Sequence, residues 1–107
     1  MNISPSKAEV FTISDVKDLD LVTVFIQDLG PGRGKLTVEC YGHAWSTYWG
    51  GMGDQTVRQF LLGVDTTYVA TKLVSGLQRV VTRREERWVG TIVDAVLRAI
   101  REEHKAC

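Results

Sequence analysis

The chain changes its hydrophobic period once, and glycine marks the change. Up to Trp49 the apolar residues alternate or cluster as strands require. Beyond Asp54 they recur every three to four positions as helices require, and Gly50-Gly-Met-Gly53 stands between the two regimes. Strands first and helices second is the order of an α+β domain rather than of repeated βαβ units. The stretch straddling the change, Leu36–Asp54 (LTVECYGHAWSTYWGGMGD), also concentrates the chemically distinctive side chains: Tyr41, Tyr48, Trp45, Trp49, Cys40 and His43.

The 107 residues make one domain, 1–107, with a loose lead-in at 1–7, a sheet within 8–49 and helices within 54–104. Glu9–Ile13 predicts a short first strand. Ser14–Asp20 is polar and predicts a turn, or a single helical turn capped by Ser14 or Asp15. Asp20–Leu29 (DLVTVFIQDL) is the clearest strand. Val22, Val24 and Ile26 lie on one of its faces and Leu21, Phe25 and Leu29 on the other, so a central strand covered on both faces is expected. Gly30-Pro-Gly-Arg-Gly-Lys35 reads as a hairpin connection. The turn is favoured over a phosphate-binding loop, because three residues rather than four separate Gly30 from Gly34, and Leu36 follows Lys35.

Leu36–Trp49 is expected to return as one long strand, bent or bulged at Gly42. Strict alternation then puts Leu36, Val38, Cys40, Gly42 and Ala44 on a face meeting a helix. Thr37, Glu39, Tyr41, His43, Trp45 and Trp49 fall on the other. Asp54 is expected to cap a helix over 55–62 with Val57, Phe60 and Leu61 buried, and Asp65 a second helix ending at Gly76. The last helix runs from Leu77 or Arg79 to Glu103. Its broad apolar face comprises Trp88, Val89, Ile92, Val93, Val96, Leu97 and Ile100. The expected fold is an antiparallel sheet of about three strands followed by about three helices packed on one face. Because that apolar face exceeds what a small sheet covers, a homodimer through the C-terminal helix is also expected.

Thirteen basic and thirteen acidic residues cancel. The first half carries four Lys/Arg against six Asp/Glu and the second nine against seven, so neither a strong phosphate-neutralising DNA binder nor an acidic DNA mimic is indicated. From the polar start no signal peptide is expected, no apolar run is long enough to span a membrane, and two cysteines make no disulfide framework. A cytoplasmic protein is expected.

Three constellations present themselves. Cys40, His43, His104 and Cys107 supply the donor types of a tetrahedral zinc site. Cys40 and His43, however, are three apart on one strand and point to opposite faces, so no metal and no cofactor is the expectation. Arg79, Arg83, Arg84 and Arg87 are candidate phosphate contacts at the start of the last helix, diluted by Glu85 and Glu86. Tyr41, His43, Trp45, Tyr48 and Trp49 form a candidate interface: they anchor a protein partner, stack unpaired bases, or pack beneath the helices as core. No catalytic spacing surrounds His43 or Cys40, and enzyme activity is not expected.

The run GPGRGKLTVECYGHAWSTYWGGMGDQTVRQFLL resembles small proteins of tailed bacteriophages and prophages, in its Gly-Pro-Gly turn, its Val-Glu-Cys-Tyr-Gly strand and its Tyr-Trp-Gly-Gly-Met-Gly ending. The resemblance covers roughly residues 28–75. It implies a phage or prophage origin and work inside an infected bacterium, and it supplies no activity or ligand residue. The expected function is therefore a non-enzymatic accessory protein that binds a host or phage protein, as an inhibitor for example. A weak single-stranded nucleic-acid binder is the alternative.

Overall fold

A computed structural model describes residues 1–106. Four antiparallel strands, β1 (Glu9–Ile13), β2 (Val22–Gly30), β3 (Arg33–Cys40) and β4 (His43–Trp49), form a sheet in the order β1-β2-β3-β4. Three helices follow: α1 (Val57–Leu61), α2 (Thr66–Ser75) and α3 (Arg83–Ala106). The α+β reading holds with one strand more than expected.

The extra strand arises at Tyr41-Gly42. Both residues have positive φ, 51° and 78°, and Cys40 pairs directly with His43 across them. Two consecutive left-handed residues match the twist of a tight hairpin, so the expected bulge is a full reversal. Parity changes with it. Val38 now faces Trp45 and Gly34 faces Trp49, which puts both tryptophans on the helix side with Leu36, Val38 and Cys40. Ala44, Ser46 and Tyr48 take the outer side. The expected grouping of Trp45 and Trp49 with Tyr41 is thereby corrected.

β2 is central in the sheet, but only one of its faces is covered. Val22, Val24 and Ile26 are buried, whereas Phe25 is half-buried and Leu21 and Leu29 are exposed. The β1–β2 connection is a turn closed by Leu19 N–H donating to the Val16 carbonyl at 3.1 Å, not a capped helical turn.

At the opposite end of the sheet two glycine-bearing loops interlock. Pro31 and Gly32 (φ 72°) form the β2–β3 turn, and Met52 N–H donates to the Gly32 carbonyl at 3.0 Å. A Cβ on Gly32 would collide with the Gly53 carbonyl. A Cβ on Gly34 would collide with Val57 Cγ2 and come within 2.8 Å of the Gln27 carbonyl. The glycines let α1 sit directly on the hairpin, where Val57 N–H donates to Asp28 Oδ1 at 2.9 Å.

The N-cap of α1 is Thr56, not Asp54. Thr56 Oγ1 accepts from Gln59 N–H while Gln59 Oε1 accepts from Thr56 N–H, a reciprocal capping box that an isolated Asp54 lacks. Asp65 caps α2 as expected. α3 begins later than expected, because Leu77–Thr82 is irregular and Thr82 Oγ1 caps by accepting from Glu85 N–H at 3.1 Å.

The apolar stripe of α3 is consumed inside the chain. Val89, Ile92, Val93, Ala95, Val96, Leu97 and Ile100 are all buried against the sheet, α1 and α2. That removes the reason for expecting a dimer through this helix. Arg58 of α1 ties the far end together, donating two bonds to Glu9 at 2.8 and 2.7 Å and one to Glu103 at 2.9 Å. It also lies over the Phe11 ring, 5.1 Å from its centroid.

Two glycines should answer oppositely to alanine. Gly34→Ala is expected to lower stability by about 1–3 kcal/mol through overpacking beneath α1. Gly90→Ala, mid-helix with no atom near the added Cβ, should raise it by about 0.5–1 kcal/mol. Denaturant unfolding of the two variants measures both.

Candidate interaction surface

The five aromatic candidates separate into structural and exposed groups. Trp45 is 1% exposed and Trp49 6%, whereas Tyr41 is 76% exposed and Tyr48 47%. His43 is also exposed.

The buried pair fastens the helices to the edge strand. Trp45 Nε1 donates to Glu85 Oε2 of α3 at 3.0 Å, and its ring meets Trp88 edge-on at 5.1 Å. Trp49 Nε1 donates to the Tyr68 hydroxyl of α2 at 3.0 Å, and its ring packs on Phe60 of α1 at 5.3 Å. Each indole buries its body and satisfies its one donor, as a core tryptophan must. Truncating either to alanine would cost about 3–5 kcal/mol of fold stability, so neither is a free interface residue.

His43 sits at the rim of this arrangement. Its ring stacks at 16° on Trp45 with 6.1 Å between centroids, and meets Trp88 edge-on at 5.1 Å. Together with Thr82, Arg84, Glu85 and Trp88 it lines an open recess of about 300 Å³. Trp88 was expected only as part of the buried stripe. Its place in the first turns of α3, just after the irregular segment, leaves it half-buried and able to close over His43.

Tyr41 leads into the same end of the sheet from the turn. A tyrosine held at positive φ and largely exposed is an uncommon placement for a large side chain.

The arginines do not act as one patch. Arg79 is taken up by Glu85 through two bonds of 2.7 Å. Arg84 borders the His43 recess, while Arg87 borders a separate groove with Thr67, Thr71 and Val74 between α2 and α3. Arg83 is exposed. Glu85 therefore serves two donors, and Arg79 first and Trp45 second hold its carboxyl down at about 2.

The reversal sets Cys40 and His43 opposite each other on one side of the sheet, not on the opposite faces expected, but the other zinc donors do not join them. Cys40 is buried with its thiol 3.8 Å from the Asp20 carbonyl, and burial followed by the Asp20 charge pushes that thiol up. His104 lies on the recess that contains Glu9 and Arg58, roughly 24 Å along α3 from Trp88 at 1.5 Å per residue. Cys107 lies outside the described residues. Among the described residues no three potential ligands come together.

A family model described as a phage family (phiTE_072) matches residues 1–106. The chain belongs to this phage family. The match extends well beyond residues 28–75, which carry the resemblance. Neither a curated protein nor a solved structure matches the chain. In this phage-family protein no helix is long and apolar enough to cross a membrane among the described residues. The recess at Glu9 and Arg58 is the larger one, about 420 Å³, but its charged groups are already paired with each other.

Glu85 supplies a pH signature. Its carboxyl is lower in the folded state than the ordinary 4.5, so its contribution to stability is complete above about pH 4.5 and disappears as pH falls towards about 2. The gap in denaturation midpoint between wild type and Glu85→Gln should shrink across that window, as measured by urea unfolding at stepped pH.

Proposed function

We propose that this phage-family protein is a non-enzymatic accessory factor that binds a host or phage protein in the cytoplasm of an infected cell, as an inhibitor for example. The observation that carries the reading is the exposed Tyr41 at the turn tip beside His43, on a base made rigid by Trp45 and Trp88. Tyrosine and arginine are the side chains that supply much of the energy at protein interfaces, and Arg84 borders the same recess. A surface already fixed by buried aromatic contacts loses little conformational freedom on binding. The candidate contacts are Tyr41 and His43, with Trp88 and Arg84 at the recess. Tyr48 lies apart on the outer face.

A second reading is favoured by one observation. Arg83 and Arg84 have no acidic partner within ion-pair distance among the described residues, and Arg84 borders the aromatic recess, an arrangement that suits unpaired bases and phosphate. The zero net charge and the engagement of Arg79 by Glu85 weigh against it.

Capture from infected-cell lysate by the tagged wild-type chain should retain a discrete protein, and Tyr41→Ala/His43→Ala should lose at least tenfold of it without a change in thermal midpoint. Undiminished capture by the double variant would sink the protein-binding reading at this surface. Binding of a labelled single-stranded oligonucleotide that weakens steeply with salt, and weakens further in Arg83→Ala/Arg84→Ala, would favour the second reading instead.

A further inference from the structure

β4 is an edge strand without the usual protection. Because Cys40 and His43 are the closing pair of a two-residue hairpin, their backbone groups bond to each other. With a period of two, Trp45 and Thr47 then direct their N–H and C=O groups to β3, whereas Ala44, Ser46 and Tyr48 direct theirs to the open edge. All three are exposed, and no backbone hydrogen bond from another segment reaches them among the described residues.

Sheet edges are ordinarily shielded by charge, proline, a bulge or short length. β1, the other edge, has five residues, carries Glu9 held by Arg58, and follows Pro5 and Lys7. β4 has seven residues, HAWSTYW, with no Asp, Glu, Lys, Arg, Pro or Gly, and keeps unbroken register with β3 from Cys40↔His43 to Gly34↔Trp49. Exposed large apolar side chains gather around it. Tyr48 lies within the strand, Tyr41 in the turn before it, and Tyr68 is bonded to its Trp49. Val80, 89% exposed, neighbours Arg79 in the segment that Glu85 draws to Trp45.

We propose that β4 pairs antiparallel with β4 of a second copy about a two-fold axis at Ser46, joining two four-stranded sheets into one. That register sets Ser46 against Ser46 of the second copy and Ala44 against Tyr48 twice, so every outward backbone group of the three residues meets its complement. On the outer face the small Ala44 accommodates the large Tyr48. The lack of charge points to a copy of this chain in particular. Two-fold pairing brings a strand's charges close to their own duplicates, and β4 has none to repel. The pairing uses the strand's edge and leaves Tyr41 and His43 at its end, so it stands independently of the partner reading above.

Sedimentation velocity of the full chain should give the mass of two chains, falling to one on dilution. Ser46→Lys and Ser46→Glu should each be monomeric at concentrations where wild type is dimeric, with unchanged circular dichroism. An equimolar mixture of the two should recover the dimer, because opposite charges then face each other at the axis. In the unmodified protein, amide exchange at Ala44, Ser46 and Tyr48 should slow at least tenfold as concentration rises through the dimerisation range. The proposal is overturned by a wild-type chain that stays monomeric to about millimolar concentration. A dimer that survives Ser46→Lys, or one in which those three amides stay fast, overturns it equally.

Discussion

The left-handed pair at Tyr41-Gly42 is the constraint on which the rest of the molecule depends. A gentle bend there would have continued one strand and left the tryptophans opposite the helices. A two-residue reversal instead makes an edge strand whose inward positions are Trp45, Thr47 and Trp49. The helices are then attached through those indoles: Trp45 reaches Glu85 and Trp88 of α3, and Trp49 reaches Tyr68 of α2 and Phe60 of α1. Each contact combines aromatic burial with one satisfied donor, which orients the partner as well as holding it. The turn thus decides which aromatics become core and which remain available to a partner.

Much of the fold was legible from residue order. The β-branched cluster of Val22–Ile26, the Pro31-Gly32 turn, the Asp65 cap and the apolar stripe from Val89 to Ile100 each carry an unambiguous local signal, and each is realised. The second hairpin was not legible for a specific reason. Asn-Gly or Asp-Gly announces such a turn, whereas Tyr-Gly does not, and the residues on either side alternate whether or not the chain reverses. The reversal exchanges the faces of every residue of β4, since side-chain direction in a strand has a period of two. The site inherits the exchange: Tyr41 and His43 are exposed as the interface reading requires, but Trp45 and Trp49 are core. Trp88 reads as part of the buried stripe because helical spacing alone cannot distinguish the rim of a stripe from its centre.

The charged residues show how local sequence misleads about surface character. Arg79, Arg83, Arg84 and Arg87 look like one basic run, yet Glu85 removes Arg79 and helix geometry divides Arg84 from Arg87. Glu85 in turn is drawn towards Trp45, forty residues away in the chain. A carboxylate that bonds a buried indole and an arginine at once does more to position the start of α3 than its place in a charged run suggests. The irregular Leu77–Thr82 segment is the length of chain needed to bring it there.

Arg58 has a bearing on the order in which the molecule is made. Its carboxylate partners lie 49 residues before it and 45 residues after it, one in the first strand and one in the last turns of α3. The meander from β1 to β4 closes through neighbours and can form as the chain emerges. The three-way joint at Arg58 cannot, because loop closure over those separations waits until Glu103 is available. Until the helices pack on the sheet, Val22, Val24, Leu36 and Val38 are open to water and to other chains, an aggregation hazard in any intermediate that holds the meander alone.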